Sequence, residues 1–265
     1  MIIAITDTYY LWVAYILTAL IGLAVGSFLN VVIYRVPLKM SLATPSSHCP
    51  QCKEKIKWHD NIPVLSYCLL GGSCRACGAH IPFRYTAVEI LNALLWILSM
   101  LIFHDNVLYA VLAMIVSSVC ICMFFIDLEH MIIPDRLQIV MLIAAIPAVF
   151  LDTEYYPISH LIGAVAAGVV FIGTSLVVGK LLGREALGGG DVKLAIISGL
   201  LLGWQKLILM MLVASVSASI IMIIRRSKEK ESLETPFAPF LTVGLLVALF
   251  AGNDIVNWYL SLLSL

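Results

Sequence analysis

Two aspartates carry the first chemical signal in this chain. Asp127 lies in Phe124-Phe125-Ile126-Asp127-Leu128-Glu129-His130, and Asp191 ends Gly188-Gly189-Gly190-Asp191. Each stands at the border of a long apolar segment, where an ionisable group is costly and usually functional. Two carboxylates that can approach each other can share a proton and divide the work of acid and base. That is the equipment of an aspartyl protease, here set at the edge of a bilayer. Structural roles compete with this reading. A carboxylate at the C-terminal end of a helix faces the negative end of the dipole, so helix stability does not favour Asp127. Asp191 begins a helix, where N-capping is an equally good reason for it. Three consecutive glycines exceed the needs of a cap and would let another backbone, such as an extended substrate strand, come close. Asp135 follows Pro134 at the start of the next helix and reads as a favourable early-helix acid. No H-E-x-x-H and no G-x-S-x-G is present, which leaves a metalloprotease or serine hydrolase with little support.

Cysteines supply the second signal. Cys49-Pro50-Gln51-Cys52 and Cys74-Arg75-Ala76-Cys77 form two C-x2-C pairs separated by 21 residues. Four thiolates at this spacing suit a tetrahedral zinc ion, and a site closed by four cysteines has a structural role. Gly78 fits a tight turn after the second pair. Two disulfides are the alternative, disfavoured if the loop faces a reducing compartment. Cys68 reads as a spare thiol, Cys120 and Cys122 as buried packing residues, and His48 and His59 as loop-surface residues.

The elements that must position these groups are apolar. Of 265 residues, 62% are hydrophobic and 12% charged, against roughly a quarter charged in a soluble domain. The expected fold is an all-α polytopic membrane protein with about eight transmembrane helices and a zinc-knuckle loop between the first two. The apolar segments run roughly over 11–34, 86–103, 107–126, 136–151, 158–182, 191–204, 206–224 and 237–260. The sixth is short for a span of about 20 residues. Gly22, Gly26, Gly163, Gly168 and Gly173 suggest close helix contacts. The N-terminus lacks the basic region of a signal peptide, and its only charge before Arg35 is Asp7.

Basic residues set an orientation. The loop 35–85 holds Arg35, Lys39, Lys53, Lys55, Lys57, Arg75 and Arg84. Arg136, then Lys180, Arg184 and Lys193, then Arg225, Arg226, Lys228 and Lys230 follow on alternate connections. Of the 16 Lys and Arg residues only Lys206 falls on the other side. The positive-inside rule then places the cysteine loop, Asp127 and Asp191 on the cytoplasmic side and both termini outside. A net charge of zero gives no field that would recruit nucleic acid.

At these residues the chain resembles the bacterial type IV prepilin peptidases, membrane-embedded aspartyl proteases of the G-x-G-D class. The likeness covers nearly the whole chain. It includes Gly26-Ser27-Phe28-Leu29-Asn30-Val31-Val32-Ile33-Tyr34-Arg35-Val36-Pro37, both cysteine pairs, Arg84-Tyr85 with Glu89, residues 127–135, Gly188–Asp191 and Pro236-Phe237-Ala238-Pro239-Phe240-Leu241. The resemblance implies removal of the short basic leader of prepilin or pseudopilin precursors at the cytoplasmic face of the bacterial inner membrane. Asp127 and Asp191 would be the catalytic pair. Members with the cysteine loop also methylate the new N-terminal amine with S-adenosylmethionine. Residues 1–105 would then form the methyltransferase region and 106–265 the protease. Arg84 and Glu89 are candidates for the methyl-donor region by position, although Arg84 also fits a membrane anchor. Asn30 is equally explained by helix hydrogen bonding. Gly189 occupies a variable position of the family pattern, and Ala238 stands where glycine is frequent. Two rival functions are a carboxylate-lined transporter and a non-catalytic assembly protein of a secretion system. Against the transporter, both acids lie at one face and no midplane acid completes a path.

Overall fold

A chain this apolar has to satisfy its backbone polar groups internally, and helices do so segment by segment. The computed structural model describes residues 2–183, 187–228 and 235–263. Arg184 and Lys230, counted above among the basic residues, lie outside them. The described residues form eight α-helices and one 3₁₀ turn, with no strand. They fall into two compact units, Met1–His104 and Asp105–Leu265.

The first unit contains α1 (Ile2–Arg35), a 3₁₀ turn at Trp58–Asn61, the short α2 (Leu65–Leu69) and α3 (Arg84–Ile102). Helices α1 and α3 approach through Gly22 and Gly26. A Cβ there would stand 2.9 Å from Ala93 Cα and 2.7 Å from Glu89 Cα, respectively. The close approach lets side-chain amides reach across. Asn92 Nδ2 donates to the Gly22 carbonyl at 2.7 Å, and Asn30 Nδ2 to the Tyr85 carbonyl at 3.0 Å. Asn30 is therefore a helix-to-helix tie. Buried Arg35 donates to the carbonyls of Ser41, Leu42 and Pro45 and gathers the chain that follows α1.

The second unit contains α4 (Val107–His130), α5 (Asp135–Leu151), α6 (Pro157–Leu182), α7 (Gly189–Lys228) and α8 (Ala238–Leu263). Among the described residues, six helices are long and apolar enough to cross a membrane. The other two expected spans are accounted for within this unit. Helix α5 has 17 residues, or about 25 Å. Helix α7 is broken at Gly203, whose φ of 76° lies in the left-handed region that favours glycine. Contacts on either side show that the chain reverses there. Gly190 lies beside Gln138 at the start of α5, and Leu200 beside His160 at the start of α6. After the break, Lys206 packs on Gly252 and Met210 on Gly244, so the chain runs back along α8 toward Ala238. The short sixth segment is thus a buried limb of a hairpin, with Leu194, Ala195, Ser198, Leu201 and Leu202 almost fully enclosed.

Lys206, the exception to the charge pattern, is explained by packing. It is 3% exposed and its Nζ lies 3.1 Å from Asp152 Oδ2, with His160 Nε2 3.7 Å from the same oxygen. The ammonium also sits 4.9 Å from the Tyr155 ring centroid. A lysine neutralised inside the protein does not act as a free topogenic charge.

Glycine contacts divide by face. Gly163 and Gly199 bring α6 and α7 into backbone contact, and a Cβ on either would strike the other's carbonyl. Gly168 makes only ordinary contact with Ile196, and Gly173 faces open space, contrary to the expectation for it. Gly163→Leu should therefore destabilise the fold by about 1–3 kcal/mol, or more if the helices cannot part. Gly173→Leu should be near neutral. Thermal unfolding in detergent, comparing the two midpoints, measures this difference.

Candidate active site and cysteine cluster

Asp127 is reached through the last turn of α4. The helix continues to His130 and closes at Met131, which adopts left-handed geometry (φ 52°) and donates its N–H to the Asp127 carbonyl at 3.0 Å. The carboxylate is buried, 5% exposed, and Oδ2 accepts the Ala238 N–H at 3.0 Å. Ala238 opens α8, so the positive end of a second helix meets the acid that sits unfavourably in the first. Ala238 is fully enclosed, which holds that donor in place.

Asp191 is the third residue of α7, in its first turn. No capping bond from its side chain is present among the described residues. Its Oδ1 is buried without a hydrogen-bond partner, so capping does not account for this acid. The Asp127 charge acts on Asp191, and the structure thereby brings together two carboxyls 64 positions apart in sequence. A buried acceptor without a donor costs about 1–3 kcal/mol, a cost a chain need not bear for folding. Two electrostatically interacting carboxyls of which one has an amide donor and the other none are chemically unequal. Such a pair can hold one proton between them.

Surrounding residues fix the acid-bearing segments. Gly190 packs on Ile133, while a Cβ on Gly189 would meet nothing within 4 Å, leaving that glycine open to an approaching backbone. Gln138 Nε2 donates to the Gly190 carbonyl at 3.1 Å. Asp135 pairs with Lys193 at 2.7 Å on the surface, as expected of a structural acid, and such exposed pairs contribute about 0–1 kcal/mol. Glu129 is exposed. The Ala238 amide and Gln138 were not singled out by the sequence reading. A signal for Gln138 existed: it is the only polar side chain between Leu137 and Leu151.

In the first unit the four cysteines meet. The sulfurs of Cys49, Cys52, Cys74 and Cys77 all lie within 4.8 Å of one another and can hold a metal ion. Two hairpins of the same design supply them. Cys49 N–H donates to the Glu54 carbonyl and Lys53 N–H to the Cys49 carbonyl, and Cys74, Ala79 and Gly78 repeat the pattern. Lys53 (φ 62°) and Gly78 (φ 69°) hold the equivalent left-handed position. The Arg75 guanidinium clamps Asp60 at 2.7 Å and holds that carboxyl below its usual range. Amide hydrogen bonds from Cys52 and Gln51 draw the Cys49 thiol down to about 6. At Cys52 the Glu54 amide also lowers, but burial and the neighbouring sulfurs of Cys77, Cys49 and Cys74 outweigh it and push that thiol up to about 11. Four thiolates in this space need a cation to coexist. Cys68 stands apart and exposed, Cys120 and Cys122 are buried in α4, and neither His48 nor His59 joins the cluster.

Arg84 and Glu89 lie on α3. The Arg84 guanidinium stands 5.3 Å from the Tyr85 ring centroid. Glu89 is buried, and its Oε2 accepts the Val64 N–H at 2.8 Å. Val64 has φ 63°, an outlier for a β-branched residue. The buried carboxylate thus secures a strained turn in the loop.

Comparison with known proteins bears on the whole chain. The model described as "Bacterial Peptidase A24 N-terminal domain" matches residues 20–103, and that described as "Type IV leader peptidase family" matches residues 114–223. The prepilin leader peptidase/N-methyltransferase of Legionella pneumophila is 33% identical over 95% of this chain and 96% of its own length. The chain belongs to the type IV leader peptidase family. Other members of this peptidase family include the prepilin leader peptidase/N-methyltransferase of Aeromonas salmonicida, 33% identical over 94% of this chain and 95% of its own. The type 4 prepilin-like proteins leader peptide-processing enzyme of Escherichia coli is 34% identical over 86% and 91%. No solved structure matches the chain.

Proposed function

We propose that this protein removes the basic leader from type IV prepilin or pseudopilin precursors and then methylates the new N-terminal amine. The observation that carries the proteolytic reading is the unequal hydrogen bonding of two acids, buried Asp127 with an amide donor and half-buried Asp191 with an enclosed Oδ1 that has none. One ionised carboxylate activates water as general base. The other, protonated, polarises the scissile carbonyl and passes its proton to the leaving amine. No metal is required at the scissile bond. The open face at Gly189 suits an extended peptide, and the membrane border suits a precursor whose apolar segment stays in lipid while its leader stays in water. The rival transporter has no support from a midplane path, and the rival assembly protein leaves the unpartnered Asp191 without a purpose.

Asp127→Asn and Asp191→Asn should each lower leader cleavage by at least about 10³-fold while the protein still inserts. The double variant should be no worse, because the pair acts as one unit. Processing of a co-expressed precursor, followed as a gel shift, measures this. Near-normal processing by either single variant would reject the assignment.

The cysteine cluster reads as a structural zinc site. Tetrahedral ligands at the Zn–S distance of about 2.3 Å stand about 3.8 Å apart, and the Cys49 and Cys77 sulfurs are 3.9 Å apart. For the second activity residues 1–105 are the candidate region and residues 106–265 the protease. Arg84 and Glu89 match S-adenosylmethionine by charge, a guanidinium for its carboxylate and a carboxylate for its sulfonium. When bound, that cofactor supplies an electrophilic methyl group. The part assigned to this chain is to present Arg84 and to keep the Val64 turn ordered through Glu89. Replacing Cys74 and Cys77 with Ser should release zinc, and both this variant and Glu89→Gln should impair methylation more than cleavage. Metal analysis and mass spectrometry of the mature pilin N-terminus provide the readouts. A metal-free wild type, or full methylation by these variants, would count against the coupling.

The distribution of free basic residues supports an inner-membrane topology with the cysteine loop and the acid pair on the cytoplasmic side. Thr153 and Ser46 are both exposed and suit cysteine labelling in a background without Cys68. An impermeant reagent added to spheroplasts should modify Thr153→Cys and spare Ser46→Cys. The opposite pattern would move the acids to the outer face and remove the basis for cytoplasmic cleavage.

A further inference from the structure

Gln138 is an enclosed polar residue beside the acid pair with a task the aspartates do not explain. It lies in the first turn of α5 and is 3% exposed. Its amide has two ends with opposite abilities. The Gly190 carbonyl can only accept, so the nitrogen end must face it, at 3.1 Å. This assignment of the amide follows from the partner's chemistry. The oxygen end, Oε1, is then turned elsewhere, and it is buried with no hydrogen-bond donor. Gly190 is the residue immediately before Asp191, so the bond from Gln138 fixes the peptide from which that carboxyl projects. Asp191 Oδ1 is likewise buried without a donor. Two unpartnered acceptors therefore flank one short stretch of backbone, where folded proteins normally satisfy nine in ten such groups. Ile133 packs against the other side of Gly190, so the glycine is gripped from α5 and from the segment before it.

We propose that Gln138 is a positioning residue for Asp191, holding the Gly190 peptide through Nε2, and that its Oε1 accepts a donor arriving with the bound complex, a backbone N–H of the extended precursor or the attacking water. This inference rests on the reading of Asp127 and Asp191 as the proteolytic pair. A leucine at position 138 would fill similar space and supply neither function. A carboxyl there would supply an acceptor at both ends when ionised, and would regain the donor toward Gly190 when protonated.

The test uses the full-length enzyme in membranes and a purified precursor. Gln138→Leu should lower kcat for cleavage about tenfold, the scale of one well-placed hydrogen bond, with KM changed less than about twofold. Gln138→Glu guards against a folding artefact, because its activity relative to wild type should recover as pH falls and the introduced carboxyl takes up a proton. The groups facing this region, Asp127 on α4, Asp135 on α5 and Asp191 and Lys193 on α7, are present in both proteins, so the ratio to wild type removes their own titration. A merely structural glutamine would give a ratio flat with pH. Wild-type kcat in Gln138→Leu, or a pH-independent ratio in Gln138→Glu, would overturn the proposal. Asp191→Asn, run in parallel, separates the two readings. An inactive Asp191→Asn beside a fully active Gln138→Leu rejects Gln138 alone, and an active Asp191→Asn rejects the pair on which the proposal stands.

Discussion

Lipid offers no hydrogen-bond partner, and the organisation of this chain follows from that constraint. Segments in the apolar medium are helical because only a helix satisfies its own backbone. Among the described residues, irregular backbone is confined to helix ends, the break at Gly203 and the loop that carries the cysteines. Helix ends are also where N–H groups and carbonyls lack intrahelical partners. A chain that must place two acids near lipid has its only free donors at such ends. The Ala238 amide at the start of α8 meets Asp127 in this way. The two acids belong at the same end of the second unit because helix termini gather there.

The opposite end of that unit solves the same problem with charge. Asp152, Lys206 and His160 bury one another where the α5–α6 connection meets the reversal of α7. Each ion would be costly alone. Together they form a neutral cluster whose loss of one partner would leave the others uncompensated. The two ends thus differ in kind. One pairs its charges with one another and leaves only His160 Nε2 of that cluster without a hydrogen-bond partner, while the other keeps acceptors without donors at Asp191 and Gln138.

Much of this was legible in the residues. Apolar length located the long helices, though not the short α2, because it follows from transfer energy and needs no knowledge of contacts. The C-x2-C pairs declared their cluster for the same reason, since ligand geometry is local. What depends on facing was hidden. Gly163 and Gly173 look alike in sequence, yet only one lies against another helix. Asp191 read equally as a cap or a functional acid, and its buried Oδ1 makes no capping bond. The donor for Asp127 comes from 111 residues away, and no local pattern announces it. Lys206 read as a stray topogenic charge until its partner was seen.

The reversal at Gly203 carries a practical consequence. A hydropathy trace invites an epitope tag or fusion partner between the sixth and seventh apolar segments, as between any two spans. Here the turn is essentially one residue deep. The Trp204 amide lies against Gly163, Ser159 bonds Gln205, and Lys206 is sealed beneath Gly252 and Tyr155. The Trp204 side chain is exposed at the tip, but its backbone is packed, so inserted residues would have to enter packed backbone. The reversal is therefore a poor place for a tag or fusion, since its backbone is held between Gly163 and Ser159 of α6.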